Sequence, residues 1–146
     1  VNGSKFTYVA AGTISPKGDL NQRLRGIADE LDVHLQTYKP EAFALEKVFY
    51  AKNVNSALVL GHARGVALLS AARQEIPVFE YSATQIKQAA TGHGRASKEQ
   101  VRQMLEMIVG APAKQPLDAS DALAVALCHG QSRHQQNWSD KLKKAL

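Results

Sequence analysis

Apolar residues recur along this chain in two ways, at helical spacings of three and four and in short β-rich runs, and the two kinds of segment alternate. KFTYVAAGTI carries aromatic and β-branched residues ahead of SPKGD, which predicts a strand and then a turn. Leu20, Leu24, Ile27, Leu31 and Leu35 form one stripe across LNQRLRGIADELDVHLQTY, a helix that Pro40 stops. AFALEKVF is a nearly continuous apolar run, the signature of a strand buried on both faces, with Glu46 inside it. SALVLGHARGVALLSAARQ is rich in helix formers and apolar all round, so it predicts a helix buried on more than one side. Gly61 and Gly65 within it allow close backbone approach, either tight packing on a sheet or a subunit contact. IPVFEY reads as a third strand, SATQIKQAATG as a helix ending at Gly92, and GHGRAS as a loop. Ser97 and Gln100 make a capping-box pattern before the stripe Val101, Met104, Leu105, Ile108 and Val109, which Gly110 closes. APAKQP then links to a final helix, LDASDALAVALCHG. Alternating strands and helices predict an α/β layered domain with a parallel component over residues 1–130. Residues 131–146 lose periodicity and are expected to form a mobile or appended basic tail.

Composition narrows the class. A chain of 146 residues, 45% hydrophobic and 21% charged, is one domain with a real core, which excludes a disordered protein. The formal net charge of +5 is compatible with a polyanionic partner. Most of the excess sits late: residues 1–84 hold 9 Lys and Arg against 8 Asp and Glu, and residues 85–146 hold 9 against 5. The single cysteine, Cys128, lies in an apolar helical pattern and suggests a buried, inert thiol in a reducing compartment. His62 and Arg64 interrupt the longest apolar stretch and no signal peptide opens the chain, so a soluble cytoplasmic protein is expected. VNGSKFTYV starts without Met and reads as a turn feeding a strand, with sequence expected upstream.

The chemistry is carried by acids in apolar surroundings. Asp118 and Asp121 lie three apart at the mouth of the last helix, on one face. They can serve as a helix cap, favoured by the macrodipole, or hold a cation. Glu46, mid-strand, needs a partner to offset its burial, and a buried Arg and a metal ion have similar weight. Mg²⁺ takes one or two carboxylates plus water and phosphate oxygens, and paired ions clamp both oxygens of an in-line phosphoryl displacement. Other chemistry has little support. His34, His62, His93, His129 and His134 lack zinc spacing, and neither a P-loop nor a G-x-S-x-G motif is present.

ALEKVFYAKNVNSALVLGHARG, VFEYSATQIKQAATGHGRASKEQV and LDASDALAVALCH, in this order and spacing, closely resemble the RuvC family of bacterial Holliday-junction resolvases. The likeness covers the chain up to about His129. It implies a ribonuclease H-like α/β fold, a mixed central sheet flanked by helices, and a homodimer. It also implies a Mg²⁺-dependent endodeoxyribonuclease, with Mn²⁺ able to substitute, that cuts four-way DNA junctions by paired symmetric nicks, working with a branch-migration helicase complex. By position, Glu46, Asp118 and Asp121 match three of the family's four metal-binding acids, Phe49 an aromatic that engages the junction, and Lys87 and Lys98 basic residues at the DNA. On composition alone Phe49 would more often be core, and the lysines solvated helix charges. The chain departs from the family at its start. The strand with the fourth acid, in a motif like I-D-P-G-S, and the strand after it are absent, and no acid precedes Asp19, which lies in a turn. Without them the KFTYV strand would lack its neighbour and Glu46 its partner, so a shortened chain, impaired in cutting and less stable alone, is expected. The rival readings are a non-catalytic junction-binding module and a related ribonuclease H-like nuclease acting on RNA.

Overall fold

Three helices begin with the same local device. In the computed structural model, which describes residues 5–47, 54–113 and 115–145 and side chains as far as residue 136, a reciprocal capping box opens α1 (Leu20–Tyr38), α3 (Ala83–Thr91) and α4 (Lys98–Val109). The caps are Asp19 with Gln22, Ser82 with Gln85 and Ser97 with Gln100, each side chain satisfying a backbone N–H that the first turn leaves orphaned. Left-handed residues end the same helices: Lys39, Gly92 and Gly110 return their N–H to Leu35, Gln88 and Glu106.

β1 (Phe43–Glu46) and β2 (Val78–Tyr81) pair with each other. Phe43 N–H donates to Pro77 O at 2.9 Å and Lys47 N–H to Tyr81 O at 2.8 Å. The offset is the same at both ends, so the strands run parallel and need a crossover, supplied by α2 (Val54–Arg73).

The chain divides into two compact units, one built from residues 14–43 and 48–79, the other from residues up to 13, 44–47 and from 80 onward. In the first, α1 packs on α2. Leu24, Ile27, Leu31 and Leu35 turn inward from the predicted stripe, Leu35 buried, while Leu20 stays exposed. In the second, α3 and α4 pack on α5 (Leu117–Ala145). Its core is Ile86 and Ala90, Val101 and Leu105, and Ala119, Ala124, Val125, Leu127 and Cys128.

Three expectations are corrected, and the last helix runs on past the end of its apolar pattern. Only Lys5 of KFTYVAAGTI has any β pairing, an isolated bridge. β propensity is realised only against a neighbouring strand, and here the segment lies on helices: Tyr8 N–H donates to Val109 O at the end of α4, and the Phe6 ring occupies the space a Cβ on Gly130 would need. β1 is not buried on both faces; Phe43, Ala44 and Leu45 are half-buried and Glu46 is exposed. α2 is apolar all round but covered on one side, leaving Val54, Leu58, Val59 and Leu60 exposed, with open space above Gly61 and Gly65. Beyond Gly130 the chain remains helical to Ala145. A nucleated helix extends at little cost through Gln, Lys and Leu, so the loss of apolar periodicity did not end it.

Candidate functional site

Glu46 closes β1, Asp118 and Asp121 occupy the first two turns of α5, Lys87 follows the cap of α3, and Lys98 is the first residue of α4. The packing of α3 and α4 on α5 brings these ends together. Glu46, Lys87, Lys98 and Asp121 line one cavity of about 110 Å³, floored by Ile86, Val101, Ala124 and Val125. Asp118 lies outside that lining, exposed, three residues before Asp121. Of the six residues singled out in the sequence, four therefore share one pocket. Phe49 lies outside the described residues.

The pocket's electrostatics centre on Lys98. Its ammonium donates to Asp121 Oδ2 at 2.7 Å. That bond and the Asp121 charge hold the ammonium above the usual lysine range, with smaller contributions from Asp118 and Glu46. All three acids thus act on one cation. The donor set consists of carboxylate oxygens, which suits a hard divalent ion, and a side-chain cation already sits among them. Among the described residues no three His, Cys, Asp or Glu side chains converge as a complete cage. The fit is accordingly that of an ion taking one or two carboxylates, its other positions left to water or phosphate oxygen.

A second polar cluster lies deeper along α5. The Tyr81 hydroxyl and His129 Nδ1 are 2.8 Å apart, their rings edge to face at 5.9 Å. Burial pushes the Tyr81 hydroxyl up, against the effect of Ser132, and pushes His129 down, helped by the charge of Arg133; both therefore favour the neutral form. Burial likewise raises the Cys128 thiol, in keeping with an inert cysteine. The sequence reading missed this pair. The spacing places His129 alone: Asp118 and His129 are eleven residues apart, three helical turns, and fall on one side of α5, but nothing local points from Tyr81 to it.

A parallel β-α-β pair with an acid at a strand end and two more at the start of a packed helix, beside two lysines, is an α/β arrangement, and the solved structures it resembles make the class ribonuclease H-like. The family model described as Crossover junction endodeoxyribonuclease RuvC matches residues 1–129, and the chain belongs to that family. The chain is 48% identical over 131 residues to the crossover junction endodeoxyribonuclease RuvC of Pseudoalteromonas translucida (strain TAC 125), covering 89% of this chain and 75% of that one. It is 45% identical over 130 residues to that of Cupriavidus pinatubonensis (strain JMP 134 / LMG 1197), covering 88% and 72%. Among solved structures, T. thermophilus RuvC in complex with Holliday junction substrate superposes with a TM-score of 0.86 at 33% identity, covering 93% of this chain and 85% of that one. Among the described residues, no helix is long and apolar enough to cross a membrane.

Proposed function

We propose that this domain is a divalent-metal-dependent endonuclease, acting in the cytoplasm on four-way DNA junctions and resolving them by paired, symmetric nicks. The carrying observation is the single cavity shared by Glu46, Asp121, Lys87 and Lys98, on a chain whose relatives are named for this activity. Glu46, Asp118 and Asp121 are the acids that would hold Mg²⁺, or Mn²⁺ in its place, one or two of them to an ion. When bound, the ion supplies Lewis-acid polarisation of the scissile phosphate and a more acidic attacking water.

The chain's own residues do the rest. Lys87 and Lys98 neutralise backbone phosphate beside the acids and fix its register without reading sequence. Water adds to phosphorus and the P–O3′ bond breaks, leaving a 5′-phosphate and a 3′-hydroxyl; no protein nucleophile is used. Phe49 is assigned to stacking on an unpaired base at the branch. Two copies, joined across the exposed apolar face of α2 at Leu58, Gly61 and Gly65, would give the two related sites that paired nicks require. A branch-migration helicase complex would present the junction, and residues 131–146 form a basic appendix to the nuclease domain.

A second reading is a junction-binding module of the same fold, whose lysines beside the acids hold DNA without cutting it. The test is gel-shift and nicking of a synthetic four-way junction, beside a linear duplex and an RNA hairpin, in Mg²⁺ or Mn²⁺ with enzyme in excess. Junction-selective binding and paired nicks, abolished in Glu46→Gln and Asp118→Asn with binding kept, support the enzyme. Equal affinity for duplex and junction defeats the proposal, and parental cutting by either variant removes the acids from their role.

A further inference from the structure

Tyr81 stands where three elements that carry the candidate site meet. Its carbonyl accepts the N–H of Lys47 at 2.8 Å, fixing the backbone next to Glu46. The following residue, Ser82, caps α3, whose second turn carries Lys87. Its hydroxyl reaches His129 Nδ1 at 2.8 Å on α5, the helix that presents Asp118 and Asp121. The side chain is 9% exposed and its ring packs edge to face on the imidazole, so few rotamers are open to it.

We infer that Tyr81 and His129 are a positioning pair for the acidic site, the hydroxyl–imidazole bond setting the distance between the end of β1, which carries Glu46, and the face of α5 that carries the aspartates. The pair is assigned a positioning role, holding elements in place rather than reacting. Its effect follows from geometry. Glu46 and Asp121 come from elements far apart in sequence and both face one small cavity, and this bond ties the end of β2 to α5. A tether of this kind acts on catalysis because a displacement of about 1 Å at the reacting groups costs up to 10²-fold in rate. The burial that keeps both rings neutral keeps the bond between uncharged groups, which a buried site tolerates best.

The inference rests on the nuclease reading, and its test separates the two. Tyr81→Phe keeps the ring and deletes the hydroxyl. His129→Asn keeps a polar atom where Nδ1 lies, and His129→Leu does not. Three quantities are read on the 146-residue chain and each variant: Mn²⁺ affinity from the free-ion signal in electron paramagnetic resonance, the single-turnover junction nicking rate with Mn²⁺, and junction affinity. Tyr81→Phe and His129→Leu are expected to weaken Mn²⁺ binding about three- to tenfold and slow nicking about tenfold, with junction affinity within about twofold. His129→Asn should recover most of both losses, and Tyr81→Phe/His129→Leu should be no worse than either single change. Parental Mn²⁺ affinity in Tyr81→Phe, or equal behaviour of His129→Asn and His129→Leu, overturns the inference. So does a loss of junction affinity parallel to the loss of rate. If the parent chain binds Mn²⁺ but nicks no substrate, the nuclease reading fails, and the Mn²⁺ affinities still decide whether the pair sets the acids.

Discussion

Lys98→Gln isolates the charge at the centre of the pocket. The variant keeps a polar side chain and removes the ammonium that Asp121 holds at 2.7 Å. Both side chains are well exposed, 65% and 43%, so the pair belongs with surface ion pairs worth about 0–1 kcal/mol. For a domain of this size 1 kcal/mol moves the melting temperature by roughly 2–4 °C, and the drop should not exceed that. The sign with pH is fixed. Asp121 raises the lysine's pKa on folding, so the pair contributes fully below the unfolded value near 10.5 and is lost as pH climbs through the higher folded value. Parent and variant should therefore converge in stability at strongly alkaline pH. Function should move further than stability. Removing a competing cation from water-screened carboxylates is worth on the order of 1 kcal/mol, about a fivefold gain in Mn²⁺ affinity. Losing one phosphate contact should lower the slope of log affinity against log salt by about 0.9 for a four-way junction. Scanning calorimetry, manganese titration and junction binding between 50 and 200 mM salt, concentrations at which phosphate contacts are well resolved, measure all three. A melting drop well past 4 °C would show Lys98 to be a structural ion-pair partner, and an unchanged salt slope with unchanged Mn²⁺ affinity would refute its place at the site.

Leu105→Ala, at a side chain only 1% exposed, should cost about 2–5 kcal/mol in urea unfolding through the lost burial and the cavity left behind. Ser97→Ala should cost about 1 kcal/mol, because Ser97 Oγ accepts the Gln100 N–H at the start of α4. Folding holds the His129 imidazole below its ordinary value near 6.5, so between the two values the unfolded chain binds the extra proton and stability falls as pH drops from 6.5 through the folded value. His129→Asn should flatten that fall by up to about 1.4 kcal/mol per pH unit, read from denaturant midpoints. Leu58→Glu should convert a dimer to a monomer in sedimentation velocity while leaving α1–α2 packing intact, since Leu58 is 56% exposed on the single chain.

Helix ends were the most legible part of the fold. Ser97, Gln100 and Gly110 act through neighbours three or four residues away, so a linear reading captures their hydrogen bonds. The same holds for Gly92 and for the stop after Tyr38. KFTYVAAGTI was misread because strand preference describes how a side chain fits a pleated neighbour, and Tyr8 finds Val109 at a helix end instead. α2 was misread for a related reason: its composition describes all the surface it can bury, and α1 covers one side of it. Glu46 and Asp121 stood out as acids in apolar company, whereas Lys87 and Lys98 were marked only by the family resemblance. That they line one cavity depends on α3 and α4 crossing α5, a three-dimensional fact. Tyr81 and His129 are 48 residues apart and ordinary in their local sequence, so their bond was invisible before the fold was known.

α5 is one unbroken helix of 29 residues, about 43 Å from end to end at 1.5 Å per residue. A rod of that length is an angular amplifier. A few degrees of reorientation at the turn bearing Asp118 becomes a sweep of several ångströms near Ala145, so a fluorophore joined there would register rearrangements too small to follow at the carboxylates themselves.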